Sequence, residues 1–318
     1  MRYLILPVML AVTACSLNPR LDKPSTAVLP AYPTISDRPL DVVGNKDLGW
    51  RKMFKDPRLQ RLIEIALTSN HDLRLAVLNA EAVRTQFRIQ KSAQLPSFDV
   101  SASGTRQRVG GDSQSSQVGG KAVESSYAVT LGLSAFEIDL FGRLNSMSEA
   151  AQSRYLASIE GRRAAQITLV AGIADAYFAE RLAHEQLVLT QTTLADWRQS
   201  LELTRLLQDA KQGSGLDIAT AQGQVAKAEA DLEGRHRTLA QARNALQLLV
   251  GAQMPPDLPD GRTLEDQNIV GNLPPGLPSE LLSRRPDLLR AEQELIAANA
   301  DIGAARAAFF PRLSLTAS

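Results

Sequence analysis

Residues 127–135 read Tyr127-Ala128-Val129-Thr130-Leu131-Gly132-Leu133-Ser134-Ala135, with large or apolar side chains at the odd positions and small or polar ones at the even positions. A period of two sends successive side chains to opposite faces, so this is a strand with one greasy face. The same period governs Phe98, Val100 and Ala102, which alternate with Asp99, Ser101 and Ser103. Between the two segments, Val109 to Ser125 is rich in Gly, Ser and Gln and reads as a loop. The region 96–141 is therefore a hairpin of two long strands. A sheet in water turns such a face to a core, whereas a barrel strand in a bilayer turns it to lipid. Nothing in the chain supplies a separate globular core of matching size, so hydrocarbon is the preferred partner.

Helices flank the hairpin. Upstream, Leu59, Leu62, Ile63, Ala66, Leu67, Leu73, Ala76, Val77 and Ala80 recur at three- and four-residue steps, which predicts one helix over 56–95 that Pro96 stops. Downstream, Arg143 to Asp209 holds no proline and only Gly161 and Gly172. As one helix it would run roughly 100 Å at about 1.5 Å per residue. Its apolar stripe is read as Ile167, Val170, Ala171, Ala174, Tyr177, Phe178, Leu182, Leu189, Leu194, Trp197 and Leu201.

A break follows at Gln212-Gly213-Ser214-Gly215, where Asp217 is placed to cap the next helix. That return helix carries Ile218, Ala221, Val225, Ala228, Leu232, Arg235, Leu239, Ala242, Leu246 and Leu249 in alternating steps of three and four, with Arg235 the only polar member. This is a heptad seam. An ordinary bundle helix fits the pattern too, but its length favours an antiparallel coiled-coil hairpin over 142–250.

Residues 251–276 are dense in proline and glycine and read as a linker. Beyond them the chain repeats itself. Asp287-Leu288 stands 215 residues after Asp72-Leu73, and the same offset carries Leu62 to Leu277, Leu67 to Leu282, Ala76 to Ala291, Ala82 to Ala297, Pro96 to Pro311 and Ala102-Ser103 to Ala317-Ser318. A duplication accounts for this.

At the other end, Arg2 precedes a short apolar run, Leu4 to Val12, that ends in Val12-Thr13-Ala14-Cys15. The run is too short to span a bilayer and reads as a secretory signal. The small residues before the chain's single cysteine resemble a bacterial lipobox, in which Cys15 would be acylated and become the first residue of the mature chain. Ser16 in place of aspartate favours outer-membrane sorting. The segment that follows, with Pro19, Pro24, Pro30, Pro33 and Pro39, reads as an extended strap lying on other elements.

The composition excludes several classes of function. Thirty-five Lys and Arg balance 34 Asp and Glu, which leaves no basic field for nucleic acid. His71, His184 and His236 lie apart without metal-ligand spacing, and no glycine-rich phosphate loop follows a strand, so no enzyme, metal or cofactor is expected beyond a lipid on Cys15. A coiled-coil lipoprotein that tethers or scaffolds without a pore is the rival reading, though it leaves the greasy hairpin face unexplained.

Several motifs resemble those of TolC-type outer-membrane efflux proteins, closest to the NodT-like lipoproteins of resistance-nodulation-division systems. The most specific run is Gly276-Leu277-Pro278-Ser279-Glu280-Leu281-Leu282-Ser283-Arg284-Arg285-Pro286-Asp287-Leu288, followed by Ala291-Glu292 and Ala304-Ala305-Arg306-Ala307-Ala308-Phe309-Phe310-Pro311. Phe136-Glu137-Ile138-Asp139-Leu140-Phe141-Gly142-Arg143 resembles a second family motif, and Leu216-Asp217 with Ala221-Gln222 resembles the helix start after the periplasmic turn. The glycine usual in that turn falls on Lys211, with Gly213 and Gly215 standing nearby instead.

The resemblance implies a mainly α fold with a transmembrane β-hairpin, whose strands join one barrel shared by a homotrimer and whose helices join one periplasmic tunnel. It implies an outer-membrane channel component of a tripartite pump, served by a periplasmic adaptor and an inner-membrane pump. Gly213, Ser214, Gly215, Leu216 and Asp217 form the candidate adaptor-contact tip. On this reading 1–14 is a signal peptide, 15–55 a lipid-anchored extended segment, 56–95 the helix of repeat 1, 96–141 the transmembrane hairpin and 142–250 the long periplasmic helical hairpin. Then 251–276 is the linker, 277–311 the helix of repeat 2 and 312–318 the start of a truncated strand. The second copy should continue into a second hairpin and helical pair, and residues 1–318 alone are expected not to conduct.

Overall fold

A computed structural model describes residues 17–22, 49–109, 122–269 and 284–317. Among them the elements are α1 (Trp50–Met53), α2 (Pro57–Ser69), α3 (His71–Ser92), β1 (Ser97–Val109), β2 (Ala122–Ile138), α4 (Arg143–Asp209), α5 (Gly215–Val250), α6 (Pro286–Ala307) and β3 (Leu313–Ala317). The chain divides into two compact units, one drawn from 1–25, 80–159 and 290–318 and the other from 26–79 and 160–289.

The second unit has its core between α2, α4 and α5. Leu59, Leu62, Ile63 and Ala66 pack with Leu169, Ile173, Ala174 and Tyr177 and with Leu246 and Val250. The single helix expected over 56–95 is two helices, because Asn70 leaves helical geometry (φ −65°, ψ 129°). Its side-chain oxygen accepts the Leu73 amide at 2.8 Å and so starts α3, while its amide nitrogen donates to the Leu249 carbonyl at 2.8 Å. Buried Asn70 thus satisfies the start of α3 and, at the end of α5, the Leu249 carbonyl, which a continuous α2–α3 would leave without this donor. Gly251 closes α5 at φ 73°, where a Cβ would stand 2.8 Å from the Ser69 carbonyl oxygen, so both conformation and space require glycine.

Along α5 every apolar seam residue is buried or half-buried, and Arg235 is exposed. Arg235 donates to the Gln186 side chain at 2.8 Å, next to a cluster of Ala183, Leu187 and Leu239. The stripe expected on α4 needs correction: Ile167, Ala171, Leu182, Leu189 and Trp197 are exposed. The buried line is Ile173, Glu180, Leu187, Leu194 and Leu201, a strict step of seven, with Ala176, Ala183 and Thr190 between. Glu180 hides this heptad from a hydrophobic reading. Buried within it, the carboxylate accepts from Arg181 at 2.8 Å and Arg243 at 3.3 Å.

The first unit joins parts of α3, α4 and α6 to the sheet. Phe87 stacks on Tyr155, and Arg154 pairs with Asp301. Of the proline-rich strap, 17–22 is described. Asn18 bonds Ser146 (2.8 Å) and Glu149 (2.6 Å), and the Pro19 carbonyl accepts from Asn299 (2.9 Å). The duplication reaches the element ends: α3 and α6 begin and finish at the same 215-residue offset. The part of the second-repeat helix expected over 277–283 lies outside the described residues.

Candidate functional site

Three strands form the sheet, in the order β1-β2-β3, all neighbours antiparallel. Pairing places Phe98 opposite Leu133, Val100 opposite Leu131, Ala102 opposite Val129 and Gly104 opposite Tyr127. Directly opposed residues share a face, so these eight make one apolar surface. The other face carries Asp99 opposite Gly132, Ser101 opposite Thr130 and Thr105 opposite Ser126.

Among the described residues, most of the apolar face is left uncovered. Phe98 is 68% exposed, Val100 71%, Tyr127 82%, Val129 78% and Leu131 65%. A contiguous patch of this kind marks an interaction surface. Gly104 lets the Tyr127 ring lie across β1, since a Cβ there would meet the ring at 3.2 Å.

Simple alternation fails after Leu133. It would put Phe136 and Ile138 on the polar face and Glu137 on the apolar one. Instead the pairing with β3 shifts register between Leu133 and Phe136, and Phe136 opposes Leu315, Glu137 opposes Ser314 and Ile138 opposes Leu313. This bulge inserts one extra residue and returns Phe136 and Ile138 to the apolar side. The signal for it was present, because Glu137 breaks the alternation. The apolar face of β2 then runs from Tyr127 to Ile138, about 35 Å along the strand at ~3.3 Å per residue. With the usual barrel tilt that corresponds to a band about 25 Å tall.

Charge is divided by face. Among the described strand residues, Asp99, Glu124 and Glu137 lie on the polar side, and Arg106 and Arg108 continue the apolar side beyond Tyr127. Where the sheet meets the helices, Arg143 holds Glu137 at 2.9 and 2.5 Å, and Asp139 accepts the Asn145 amide at 2.8 Å to start α4. Gly142 makes the turn at φ 70°, and Phe141 stacks on Phe310 at 4.4 Å.

The helical tip is built by a capping box. The cap is Ser214, whose hydroxyl accepts the Asp217 amide at 3.2 Å, while the Asp217 carboxylate accepts the Ser214 amide at 2.9 Å. Asp217 is thus the reciprocal partner of the cap rather than the cap. The hydroxyl and amide of Ser214 hold its carboxyl below the usual range. Lys211, at the place of the family's glycine, adopts φ 61°. Leu216 is exposed, and so are Leu203, Leu206 and Leu207 on the preceding helix. Gly213 and Gly215 flank the cap. Cys15 and the loop 110–121 lie outside the described residues.

One polar hub went unread in the sequence. Asp56, almost fully buried, accepts from the Arg58 amide (2.8 Å), the Tyr177 hydroxyl (2.6 Å), the Arg262 amide (3.0 Å) and the Gln267 side chain (3.1 Å). Burial raises its pKa, but these donors together outweigh burial and lower it. Burial and the adjacent Asp56 carboxylate push the Tyr177 phenol up. The segment read as a plain linker is thereby fastened to the core, and Leu264 donates to Glu185 at 2.7 Å as well. Only the Asp-Pro pair before α2, a helix-start signal, hinted at Asp56. Among the described residues no group of His, Cys, Asp and Glu could hold a metal ion, and no helix is long and apolar enough to cross a membrane.

These features recur in known proteins. A family model described as outer membrane efflux protein matches residues 62–252 and 277–318. The chain is 43% identical over 318 residues to the probable efflux pump outer membrane protein TtgC of Pseudomonas putida, covering 97% of this chain and 65% of that protein. It is 41% identical to the outer membrane protein OprJ of Pseudomonas aeruginosa, covering 98% and 64%. The crystal structure of the open state of the Neisseria gonorrhoeae MtrE outer membrane channel superposes with a TM-score of 0.80 at 43% identity, over 95% of this chain and 66% of that one. The chain therefore spans just under two thirds of the length of these curated relatives. A duplicated helix-strand unit, an outward apolar sheet face and a heptad helix pair, matched by the family model across both repeats, make this chain a member of the outer membrane efflux protein family.

Proposed function

We propose that this protein is the outer-membrane conduit component of a tripartite efflux pump, through which small molecules pass passively. The observation that carries the reading is the apolar sheet face, exposed over Phe98, Val100, Tyr127, Val129 and Leu131 with a polar face behind it. Hydrocarbon suits the first face and a watery lumen the second. The three strands among the described residues cannot close a barrel, and in lipid each unpaired backbone group on an open edge costs several kcal/mol. Sister subunits must therefore complete the barrel, and a homotrimer is the assembly proposed. The relatives named efflux pump outer membrane proteins support the same reading.

The exposed leucines around the capped turn at Gly213, Ser214, Gly215, Leu216 and Asp217 suit contact with a periplasmic adaptor, which would link the conduit to an inner-membrane pump. Cys15 would carry the lipid anchor.

Protease protection in intact outer membranes tests the central claim. Cleavage sites engineered within the strands, at Phe98–Gly104 and Tyr127–Ile138, should resist external and periplasmic protease, and sites between Leu203 and Leu216 should be cut from the periplasm. A sheet segment cut as readily as the tip would leave the scaffolding lipoprotein as the better reading. Mass analysis of the N-terminal peptide checks acylation of Cys15, which Cys15→Ala abolishes.

A further inference from the structure

The two charges on the apolar face have a consequence for which lipids the protein keeps around it. Arg106 and Arg108 lie on the same side of β1, both exposed, opposite Ser125 and Val123 and past the Tyr127 ring. Neither guanidinium has a hydrogen-bond or ion-pair partner among the described residues, and the strands' carboxylates, Asp99, Glu124 and Glu137, are all on the other face. Side chains two apart on a strand stand roughly 7 Å from each other, so among the described residues the pair forms a concentrated positive patch with no carboxylate on its own face of the strands. At the opposite margin Arg143 is matched by Glu137, whose carboxylate also lies within the field of Arg312 just before β3.

From this segregation, and resting on the proposal that the apolar face lies in hydrocarbon, we infer that Arg106 and Arg108 bind the phosphate head groups of lipids in the leaflet on the loop side of the bilayer. The surface combines an oily band for acyl chains, an aromatic ring at its margin and two guanidinium forks at head-group depth. Guanidinium matches phosphate oxygens in bidentate fashion, and a single phosphomonoester bridging both would relieve their mutual repulsion. The leaflet follows from topology, since in barrels of this kind the longer loops face outward and the loop 110–121 joins these strands.

Tyr127→Trp in the full chain places an indole reporter beside the pair; the signal of Trp50 and Trp197 is subtracted using the parent protein. The chain is reconstituted in phosphatidylcholine vesicles carrying a minority of either brominated phosphatidylcholine or brominated phosphatidic acid. Quenching by brominated phosphatidic acid at much lower content is the expected result, with a preference that falls with added salt. Arg106→Gln with Arg108→Gln should weaken the preference roughly thirty-fold at low salt, from about tenfold per 1.4 kcal/mol and ~1 kcal/mol per basic residue. Arg106→Lys with Arg108→Lys should keep most of it, and Glu124→Gln on the other face should leave it unchanged. Equal quenching by both lipids, unaltered in the glutamine variant, overturns the inference while the hydrocarbon reading stands. Loss of the preference with inorganic phosphate but not with sodium chloride at the same ionic strength assigns the patch to a soluble anion and also overturns it. Quenching by neither lipid removes both readings.

Discussion

Leu62 and Leu131 are the same residue in opposite circumstances, the first fully enclosed between helices and the second 65% exposed on the sheet. Around Leu62 the protein has supplied its own apolar neighbours, and water drives them together at roughly 1.5–3 kcal/mol per large side chain. Around Leu131 the described residues supply neighbours within the sheet face but no layer over it, and a comparable gain is available only from what covers that face. One unit is therefore finished by folding, and the sheet by its surroundings. The sequences differ accordingly, with three- and four-residue steps where helices cover each other and two-residue steps where one face is left for hydrocarbon.

Four changes would break or sharpen that contrast. The largest effect is expected at Asp56, because Asp56→Ala strands four donors in the helical core, a loss of about 3–5 kcal/mol by urea denaturation. The sheet's insertion should tolerate the change if the unit folds at all. Since the folded pKa of Asp56 is lowered, its stabilisation is present above the ordinary carboxylate range and disappears as pH falls through the folded value. Asp56→Asn should flatten this acid limb.

Next is Leu131→Arg. On a lipid face near mid-band it should cost about 2–4 kcal/mol and sharply reduce the protein recovered in outer membranes. If the face were in water, the change would stay within about 0.5 kcal/mol and the contrast drawn here would collapse.

Phe136→Arg places a charge at a position that the bulge assigns to the apolar side, and membrane recovery should fall by an amount corresponding to about 2 kcal/mol; with no bulge, position 136 would face the polar side and recovery would hardly change. The smallest effect belongs to the tip: Lys211→Gly releases a side chain from φ 61° and should gain about 1 kcal/mol, read as slower hydrogen exchange at the turn.

What could be read from residues alone follows the same division. The strands, the α5 seam and the 215-residue offset were legible because each is a repetition, and repetition survives a few exceptions. The Asn70 break was not, since the carbonyl that rewards it belongs to Leu249, far along the chain. Asp56 was invisible for the same reason, with Arg262 and Gln267 more than 200 residues away. On α4 the stripe was drawn through Ile167, Leu182 and Leu189 because they are apolar, whereas the buried heptad passes through Glu180 and Thr190. Glu180 is ion-paired and the Thr190 hydroxyl donates to the Gln186 carbonyl, so polarity there does not mean exposure. At the tip, the capped turn was expected from Asp217, yet Ser214 is the residue that makes the cap.

Arg235 and Gln186 impose one further condition on this molecule. Were α5 to slide along α4 by seven residues, every leucine would still find an apolar neighbour, but the guanidinium would meet Ala179 or Thr193. Alanine offers no acceptor, and the Thr193 hydroxyl, which donates to the Leu189 carbonyl at 2.9 Å, presents its remaining acceptor oxygen on a shorter side chain than the Gln186 amide. A polar residue in an otherwise oily seam thus acts as a locating pin. It contributes little to how tightly the two helices hold and a great deal to where they stop, so this stretch of α4 and α5 keeps one register in every copy of the protein.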